Sequence, residues 1–240
     1  MRLPQIKGFI PLSSVDWSGK LSTVLFLPYC NFRCPFCHNT NLVLNPDQIE
    51  TKPYSEIEHY LKRKRDWIDG VVVTGGEPTI HKELASLCGS IMKLGFRVKL
   101  DTNGTNPEVV KKLVTKELVD YVALDIKAPL VSRKYSHATG VEDGRLLNRV
   151  EKTIGILLGD LVKYEFRTTL VPEIHEEEDV LQICHRIKGC RKYVLQCFKG
   201  GVETIDPKFG NITSFSSSKM EEFLELARRT VPNTCLRHTN

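Results

Sequence analysis

Three cysteines within eight residues are the most distinctive chemical feature of this 240-residue sequence. Cys30, Cys34 and Cys37 have the spacing CxxxCxxC and follow the apolar run 21–27. Three thiolates can surround a metal centre, but a structural zinc site needs a fourth ligand. A [4Fe–4S] cluster held by only these three would leave one iron open to a substrate. The spacing therefore predicts an iron–sulfur cluster with one open coordination position, carried by a loop at residues 28–41, hereafter the cluster loop.

Apolar runs alternate with amphipathic segments along the rest of the chain, which predicts strands alternating with helices. We expect buried strands near residues 21–27, 70–74, 97–101, 120–127, 163–170 and 192–198. Such alternation predicts parallel strands joined by right-handed crossovers. No linker interrupts the pattern, so we expect one domain over residues 1–240.

Two of these strands are polar on one face, and this bears on how the sheet closes. Asp125 and Lys127 share one face of their strand, and Glu165 and Arg167 share one face of the next. A sheet covered by helices on both sides would be apolar on both. We therefore predict an α/β fold with a partial TIM-like (β/α)6 barrel, helices outside and a polar lumen. An open doubly wound sheet, with these residues merely at strand ends, is the alternative.

The remaining unusual motifs fall at predicted strand ends, where parallel α/β proteins bind ligands. They are Gly75-Gly76-Glu77-Pro78, Asp101-Thr102-Asn103-Gly104 and Asp125-Ile126-Lys127. One small polar ligand could contact all three motifs and the cluster loop together. Each motif also has a structural explanation, as a tight turn or a buried ion pair.

Composition limits the partners and the compartment. The net charge of +5 is mild, and no apolar run approaches the roughly 18 residues of a membrane span. We expect no nucleic-acid or membrane partner. Eight cysteines without a recognisable secretory signal indicate a reducing compartment, so the expected location is the cytoplasm.

The cysteine triplet with Phe36 before its third member resembles the radical S-adenosylmethionine (SAM) superfamily, whose fold is a partial (β/α)6 barrel. Within it, the chain looks closest to the activating proteins of anaerobic ribonucleoside-triphosphate reductase. The stretches that carry this likeness are 15–20, 34–39, 74–79, 99–104, 123–129 and 164–169. Tyr29 departs from the pattern, because a small residue usually precedes the first cysteine.

The resemblance implies that Cys30, Cys34 and Cys37 ligate three irons of a [4Fe–4S] cluster. The fourth iron would take the amino and carboxylate groups of SAM. Reductive cleavage of a C–S bond would then release methionine and a 5′-deoxyadenosyl radical.

The resemblance also assigns SAM contacts to residues at the strand ends. Backbone groups of Gly75 and Gly76 would meet the SAM amino group, and Lys127 and Arg167 its carboxylate. Asp125 would accept from a ribose hydroxyl, and the Phe36 backbone would contact adenine. Glu77 and Asn103 lie in the same motifs, and Asp101 lines the site in related activases, sometimes with a monovalent cation.

The implied activity is formation of a glycyl radical on anaerobic ribonucleoside-triphosphate reductase, with flavodoxin or ferredoxin as electron donor. Two alternatives stay open: a radical SAM enzyme acting on a small molecule, of the 7-deazapurine-forming type, and a non-catalytic metal-binding protein. The other cysteines lack paired CxxC spacing, and no role follows for Cys184, Cys190, Cys197 or Cys235.

Overall fold

The chain forms one eight-stranded sheet, which the computed structural model describes over residues 2–237. The strands are β1 Gly8–Ser13, β2 Ser22–Leu27, β3 Gly70–Gly75, β4 Arg97–Thr102, β5 Tyr121–Asp125, β6 Lys163–Leu170, β7 Tyr193–Cys197 and β8 Thr234–Arg237. Their spatial order follows the chain, β1 to β8, and every pair from β2 onward is parallel. The prediction of a partial barrel is confirmed.

All six predicted strands are present as β2 to β7, but the prediction missed one strand at each edge. β1 pairs with β2 in the antiparallel sense, with irregular register between Ile10 and Ser13. It contains Pro11, which is compatible only with an edge strand or a bulge and obscures the strand signal. β8 has four residues and follows a tight turn after the last helix, so no periodicity could reveal it. The predicted tail beyond Arg237 lies outside the described residues.

Helices connect the strands and cover the outside of the barrel. They are α1 Thr40–Leu44, α2 Tyr54–Arg63, α3 Leu84–Lys93, α4 Pro107–Thr115, α5 Ser132–Thr139, α6 Leu146–Leu158, α7 Glu177–Arg186, α8 Pro207–Gly210 and α9 Ser217–Arg228. The sequence did not predict α1, α5 and α8, which have only five, eight and four residues. Within residues 2–237, no helix is both long and apolar enough to cross a membrane.

The lower end of the lumen is closed by the segment between β1 and β2. Trp17 is buried there against Val24 and Val72, and its ring centroid lies 5.9 Å from that of Tyr121. A Cβ on Gly70 would lie 2.7 Å from the Trp17 ring, so the glycine makes room for it. Among residues 2–237, the barrel is thus filled from below, and a ligand would enter it from the upper mouth.

The upper lumen is polar, as the alternation on β5 and β6 predicted. Arg167 contacts Asp125 across neighbouring strands, and Glu165 contacts Tyr121 and Arg237. Arg167 and Glu165 are buried and their three partners are half-buried, so these side chains do not lie at exposed strand ends. The polar faces therefore line the lumen.

Candidate active site

The cluster loop and the strand-end motifs surround one small cavity at the upper mouth of the barrel. The cavity has a volume of about 140 Å³, and we call it the cofactor cavity. Its lining includes Cys30, Cys34, Cys37, Thr74, Gly75, Gly76, Glu77, Asp101, Asn103, Asp125 and Lys127. Of the predicted site residues, only Phe36 and Arg167 do not line it. The fold therefore brings together four motifs that are spread over residues 30–127 of the sequence.

Backbone hydrogen bonds hold the cluster loop from both sides. The Arg33 N–H donates to the Thr139 carbonyl at the end of α5, at 2.8 Å. On the other side, the segment after β7 donates from the Ile205 N–H to the Cys37 carbonyl, at 3.2 Å, and from the Asp206 N–H to the Pro35 carbonyl, at 2.9 Å. These contacts order a loop that has little regular secondary structure.

The three cavity thiols suit separate irons of a cluster. Burial raises the pKa of Cys30 to about 11 and that of Cys34 to about 12, so iron must displace protons from them on binding. Within residues 2–237, no three His, Cys, Asp or Glu side chains are arranged to hold one metal ion. A mononuclear zinc site would need ligands that converge on one point, whereas a [4Fe–4S] cluster takes one thiolate for each iron.

The Gly75–Gly76 turn packs directly on the cluster loop. Gly75 has a φ of 125°, which disfavours any residue with a Cβ. A Cβ on Gly76 would lie 1.8 Å from the Tyr29 carbonyl oxygen, and the Gly76 N–H donates to the Leu27 carbonyl at 2.9 Å. Only glycine allows this close approach, and it exposes backbone groups to the cavity beside the cysteines.

Glu77 links the turn after β3 to the turn after β4. Its Oε1 accepts from the Thr79 N–H at 3.0 Å, from the Thr79 hydroxyl at 2.5 Å and from the Thr102 hydroxyl at 2.7 Å. Its Oε2 accepts from the Asn103 N–H at 2.7 Å. Burial raises the pKa of Glu77, although these hydrogen bonds oppose that rise. The carboxylate is thus engaged by the protein, and its geometry suits positioning of the cavity backbone.

A second network joins the cluster loop to the turn after β4, and sequence reasoning missed two of its members. The Asn103 amide donates to Asn31 Oδ1 at 2.9 Å, and the Asn31 amide donates to the Thr105 hydroxyl at 2.7 Å. Thr105 in turn donates to Asn103 Oδ1 at 2.7 Å. Asn31 lies inside the cysteine motif but had no distinguishing signal, because its partners are more than 70 residues away.

Five charged side chains form a continuous chain of ion pairs through the upper lumen. In order they are Lys99, Asp101, Arg167, Asp125 and Lys127, with N–O distances of 2.8, 3.0, 2.6 and 3.1 Å. Three cations and two carboxylates give these five side chains a formal sum of +1, and the Glu77 carboxylate lies in the lining of the same cavity. A buried excess charge is costly unless a counter-ion meets it. One carboxylate, such as that of SAM, would balance this ion-pair chain.

Arg167 occupies the centre of the ion-pair chain and lies behind the cavity wall. Its Nε donates to Asp125 and its Nη1 to Asp101, so its guanidinium bridges the two carboxylates. Burial would raise the pKa of Asp125, but Arg167 and Lys127 outweigh it and hold the pKa well below its ordinary value. Asp101 already has two cationic partners from the chain itself. Lys127 is therefore the cation of the ion-pair chain that lines the cavity.

The ring of Phe36 packs in the hydrophobic core. The ring centroid lies 6.5 Å from those of Phe198 and Phe209. The predicted contact of its backbone with adenine stays a prediction. Of the other cysteines, Cys88, Cys184 and Cys190 are buried in the core, and Cys197 contacts the carbonyls of Phe198 and Phe215.

Tyr29 adopts a backbone conformation that explains the preference for a small residue before the first cysteine. Its φ of 60° lies in the left-handed region, which glycine adopts more easily than other residues. Its hydroxyl donates to Asp47 at 2.6 Å, and its carbonyl accepts from the Glu77 N–H at 2.8 Å. The side chain and the backbone together hold this conformation at the cluster loop.

We predict an inverted order of stability for two substitutions at Tyr29. Both Tyr29→Ala and Tyr29→Gly lose the hydroxyl contact, but only glycine relieves the left-handed backbone. The glycine variant should therefore melt about 2–4 °C above the alanine variant, the reverse of the usual order. Thermal unfolding under anaerobic conditions measures this difference. An alanine variant that melts as high as the glycine variant would contradict a strained backbone at this position.

Residues 24–182 match the Radical SAM superfamily. The chain therefore belongs to this superfamily, whose members use a [4Fe–4S] cluster and S-adenosylmethionine. The structure agrees, because the cavity provides three thiols, a close-packed glycine turn and the ammonium of Lys127.

Proteins of similar sequence indicate a narrower family within this superfamily. A Methanocaldococcus jannaschii protein named "putative glycyl-radical enzyme activating enzyme" is 31% identical over 238 residues, which cover 98% of this chain and 96% of that protein. The chain belongs with it to the radical SAM activating enzymes. The pyruvate formate-lyase-activating enzyme of Listeria monocytogenes is 30% identical over 137 residues, which cover 52% of this chain and 54% of that enzyme.

A solved structure shares the fold. The crystal structure of Streptococcus suis SuiB bound to S-adenosylmethionine aligns with a TM-score of 0.68 at 16% identity. The match covers 90% of this chain and 52% of SuiB, so the chain spans about half of that protein. At this identity, the likeness concerns the fold alone.

Proposed function

We propose that this radical SAM enzyme is an activase that forms a glycyl radical on anaerobic ribonucleoside-triphosphate reductase. The observation that carries the activase class is the similarity to the M. jannaschii protein over nearly the whole of both chains. The reductase as substrate rests on the motifs that resemble its activating proteins, from the segment around Trp17 to that around Arg167.

In this proposal, Cys30, Cys34 and Cys37 would hold a [4Fe–4S] cluster through their thiolates, with SAM bound beside it. When bound, the cluster and SAM supply a one-electron cleavage that yields methionine and a 5′-deoxyadenosyl group able to take a hydrogen atom from glycine. A low-potential donor such as flavodoxin or ferredoxin supplies the electron, and the reaction takes place in the cytoplasm.

The protein's own groups hold and orient the cofactors in this scheme. Gly75 and Gly76 present backbone groups to the SAM amino group, because their close packing leaves no side chain in the way. Lys127 is the member of the ion-pair chain whose ammonium lines the cavity, and it would pair with the SAM carboxylate. Asp125, which is held ionised by Arg167 and Lys127, can still accept from a ribose hydroxyl.

Other residues of the site would act by holding the cavity backbone and the ion-pair chain in place. Asn103 and Glu77 keep the cavity backbone in place, and Asp101 anchors Arg167. The Phe36 backbone is left to contact adenine, because its ring is held in the core.

The proposal predicts a glycyl-radical EPR signal when reduced, cluster-loaded protein, SAM and the reductase are mixed without oxygen. Cys34→Ala should abolish both the signal and 5′-deoxyadenosine formation, because an iron loses its thiolate. Cys88→Ala is the matched control. This cysteine is also buried but belongs to α3 and the core, so both readouts should persist.

Two experimental outcomes would contradict the activase proposal, and each would favour one of the alternatives. If the cluster is intact and SAM is cleaved but no glycyl radical forms on the reductase, the activase proposal fails. Conversion of a small molecule, such as a 7-deazapurine precursor, would then favour the first alternative. A metal centre whose spectrum does not respond to SAM, without 5′-deoxyadenosine, would favour the non-catalytic alternative.

A further inference from the structure

Tyr135 on α5 carries a buried hydroxyl that the protein itself does not use. The residue is fully buried, and among residues 2–237 its hydroxyl has no hydrogen-bond partner. Burying a hydroxyl without a partner is costly, because the group gives up its hydrogen bonds to water. A phenylalanine would fill the same space without that cost, so the hydroxyl calls for an explanation outside the packing of the core.

The helix that carries Tyr135 packs directly on the cluster loop. At the end of α5, the Thr139 carbonyl accepts from the Arg33 N–H at 2.8 Å, and a Cβ on Gly140 would lie 2.4 Å from the Arg33 carbonyl oxygen. One turn earlier, the Tyr135 ring contacts the Phe32 ring edge to face, with centroids 6.4 Å apart. Phe32 belongs to the cluster loop and lines the cofactor cavity. The Tyr135 ring is therefore held in place behind the loop that carries the three cysteines.

The Tyr135 hydroxyl lies beside groups of the cofactor cavity. Burial is the main cause that raises its pKa, and the charged groups that affect this pKa are Lys127, Cys34 and Asp125. All three line the cofactor cavity. The Lys127 N–H also lies near the phenol oxygen, but an N–H is a donor and cannot accept the hydroxyl hydrogen. The protein thus places a hydrogen-bond donor without an acceptor close to Cys34.

Of these three neighbours, Cys34 is the one that becomes a new acceptor when the cluster binds. Asp125 already pairs with Arg167 and Lys127, and the Lys127 ammonium is itself a donor. Iron binding replaces the thiol hydrogen of Cys34, and the resulting thiolate sulfur carries negative charge. The unused hydroxyl therefore matches an acceptor that exists only in the cluster-loaded protein.

We propose that the Tyr135 hydroxyl donates a hydrogen bond to the Cys34 thiolate of the bound cluster and so raises the cluster's reduction potential. Reduction adds one electron, and a donor at a ligand sulfur stabilises the more negative state. Tyr135 is thus a positioning residue that acts through a cluster ligand and takes no part in bond cleavage. The inference needs the cluster of the superfamily but not the reductase as substrate, so it stands apart from the proposed function.

Tyr135→Phe tests this inference, because it removes the hydroxyl and keeps the buried ring. The measurement is an EPR-monitored redox titration of the cluster-loaded protein without SAM. At a fixed potential, the ratio of reduced to oxidised cluster should fall about tenfold, which for one electron is a lowering of about 59 mV. Tyr54→Phe is the matched control, since it removes a second buried hydroxyl without a hydrogen-bond partner, on α2. Its potential should equal that of the wild type.

Three results of the titration would overturn the inference. One is a wild-type potential in Tyr135→Phe, and another is a lowering seen only with SAM present, because the hydroxyl would then serve SAM. The third is an equal lowering in Tyr54→Phe, which would show a general effect of losing a buried hydroxyl. Iron content confirms that each variant carries the cluster.

Thermal unfolding before cluster reconstitution provides a second measurement. Cluster-free Tyr135→Phe should melt no lower than the cluster-free wild type, because the hydroxyl has no acceptor there. A clearly lower melting temperature would show that the hydroxyl already stabilises the cluster-free fold, contrary to the inference. Neither measurement uses the reductase, so a failure of the proposed activase function would leave both results unchanged.

Discussion

Arg167→Met is expected to lower the free energy of unfolding by about 3–5 kcal/mol and to reduce SAM cleavage more than tenfold. The substitution removes the centre of the ion-pair chain and leaves Asp101 and Asp125 facing each other with one lysine each. It also removes one positive charge from the ion-pair chain, so Lys127 must balance Asp125 alone and is less available to the SAM carboxylate. Anaerobic urea unfolding and a 5′-deoxyadenosine assay measure the two effects.

Arg167→Lys is the matched control for this prediction. It keeps the charge, but an ammonium cannot bridge two carboxylates as a guanidinium does, so an intermediate loss is expected. A methionine variant within about 1 kcal/mol of the wild type would show that the ion-pair chain contributes little net stability.

The pH dependence provides a second check on the same variant. Burial alone would raise the pKa of Asp125, but Arg167 and Lys127 lower it below its ordinary value of about 3.9. A carboxyl with a lowered pKa in the folded state adds stability above its ordinary pKa and loses it as the pH falls. The stability difference between wild type and Arg167→Met should therefore shrink as the pH drops below about 4. A constant difference would contradict this origin.

Gly76→Ala is expected to destabilise the protein by about 3 kcal/mol or more and to prevent normal cluster assembly. The added Cβ would lie 1.8 Å from the Tyr29 carbonyl oxygen and 3.1 Å from the Cys30 nitrogen. Both are backbone atoms, so no side-chain rotation can relieve the clash. The cluster loop must move away from the turn, and Cys30 with it. Iron content after reconstitution and the cluster's absorption spectrum report the loss.

Gly155→Ala is the matched control, because it adds the same methyl group in open space. Gly155 lies within α6, and apart from its chain neighbours and the adjacent helix backbone no atom lies within 4 Å of a Cβ built there. Alanine favours a helix over glycine, so this variant should gain about 0.5–1 kcal/mol with unchanged iron content. Normal iron content in Gly76→Ala would mean that the cluster loop adapts to the clash, contrary to our expectation.

Much of the fold could be predicted from local patterns. The apolar runs predicted β2 to β7, and the polar faces of β5 and β6 predicted the lumen, because side-chain alternation on a strand is a local property. β1 and β8 could not be predicted, since Pro11 interrupts one and the other has only four residues. Their places depend on pairing with distant strands.

The sequence by itself determined which chemical groups the site has. The types and spacings of the three cysteines, the glycine pair and the charged residues at strand ends are enough to indicate their chemistry. Parallel topology then brings them to one mouth, because the carboxyl ends of parallel strands share an edge.

Only the tertiary structure showed which of those groups line the cavity and which hold other side chains in place. Arg167 was expected to meet a carboxylate of SAM, yet it lies behind the cavity and bridges Asp101 and Asp125. The side-chain amide of Asn103 donates to Asn31 in the cluster loop, a contact that no local pattern indicated. Each of these relations joins residues far apart in the chain. Their distances and directions follow from strand register and barrel closure, which local sequence patterns do not encode.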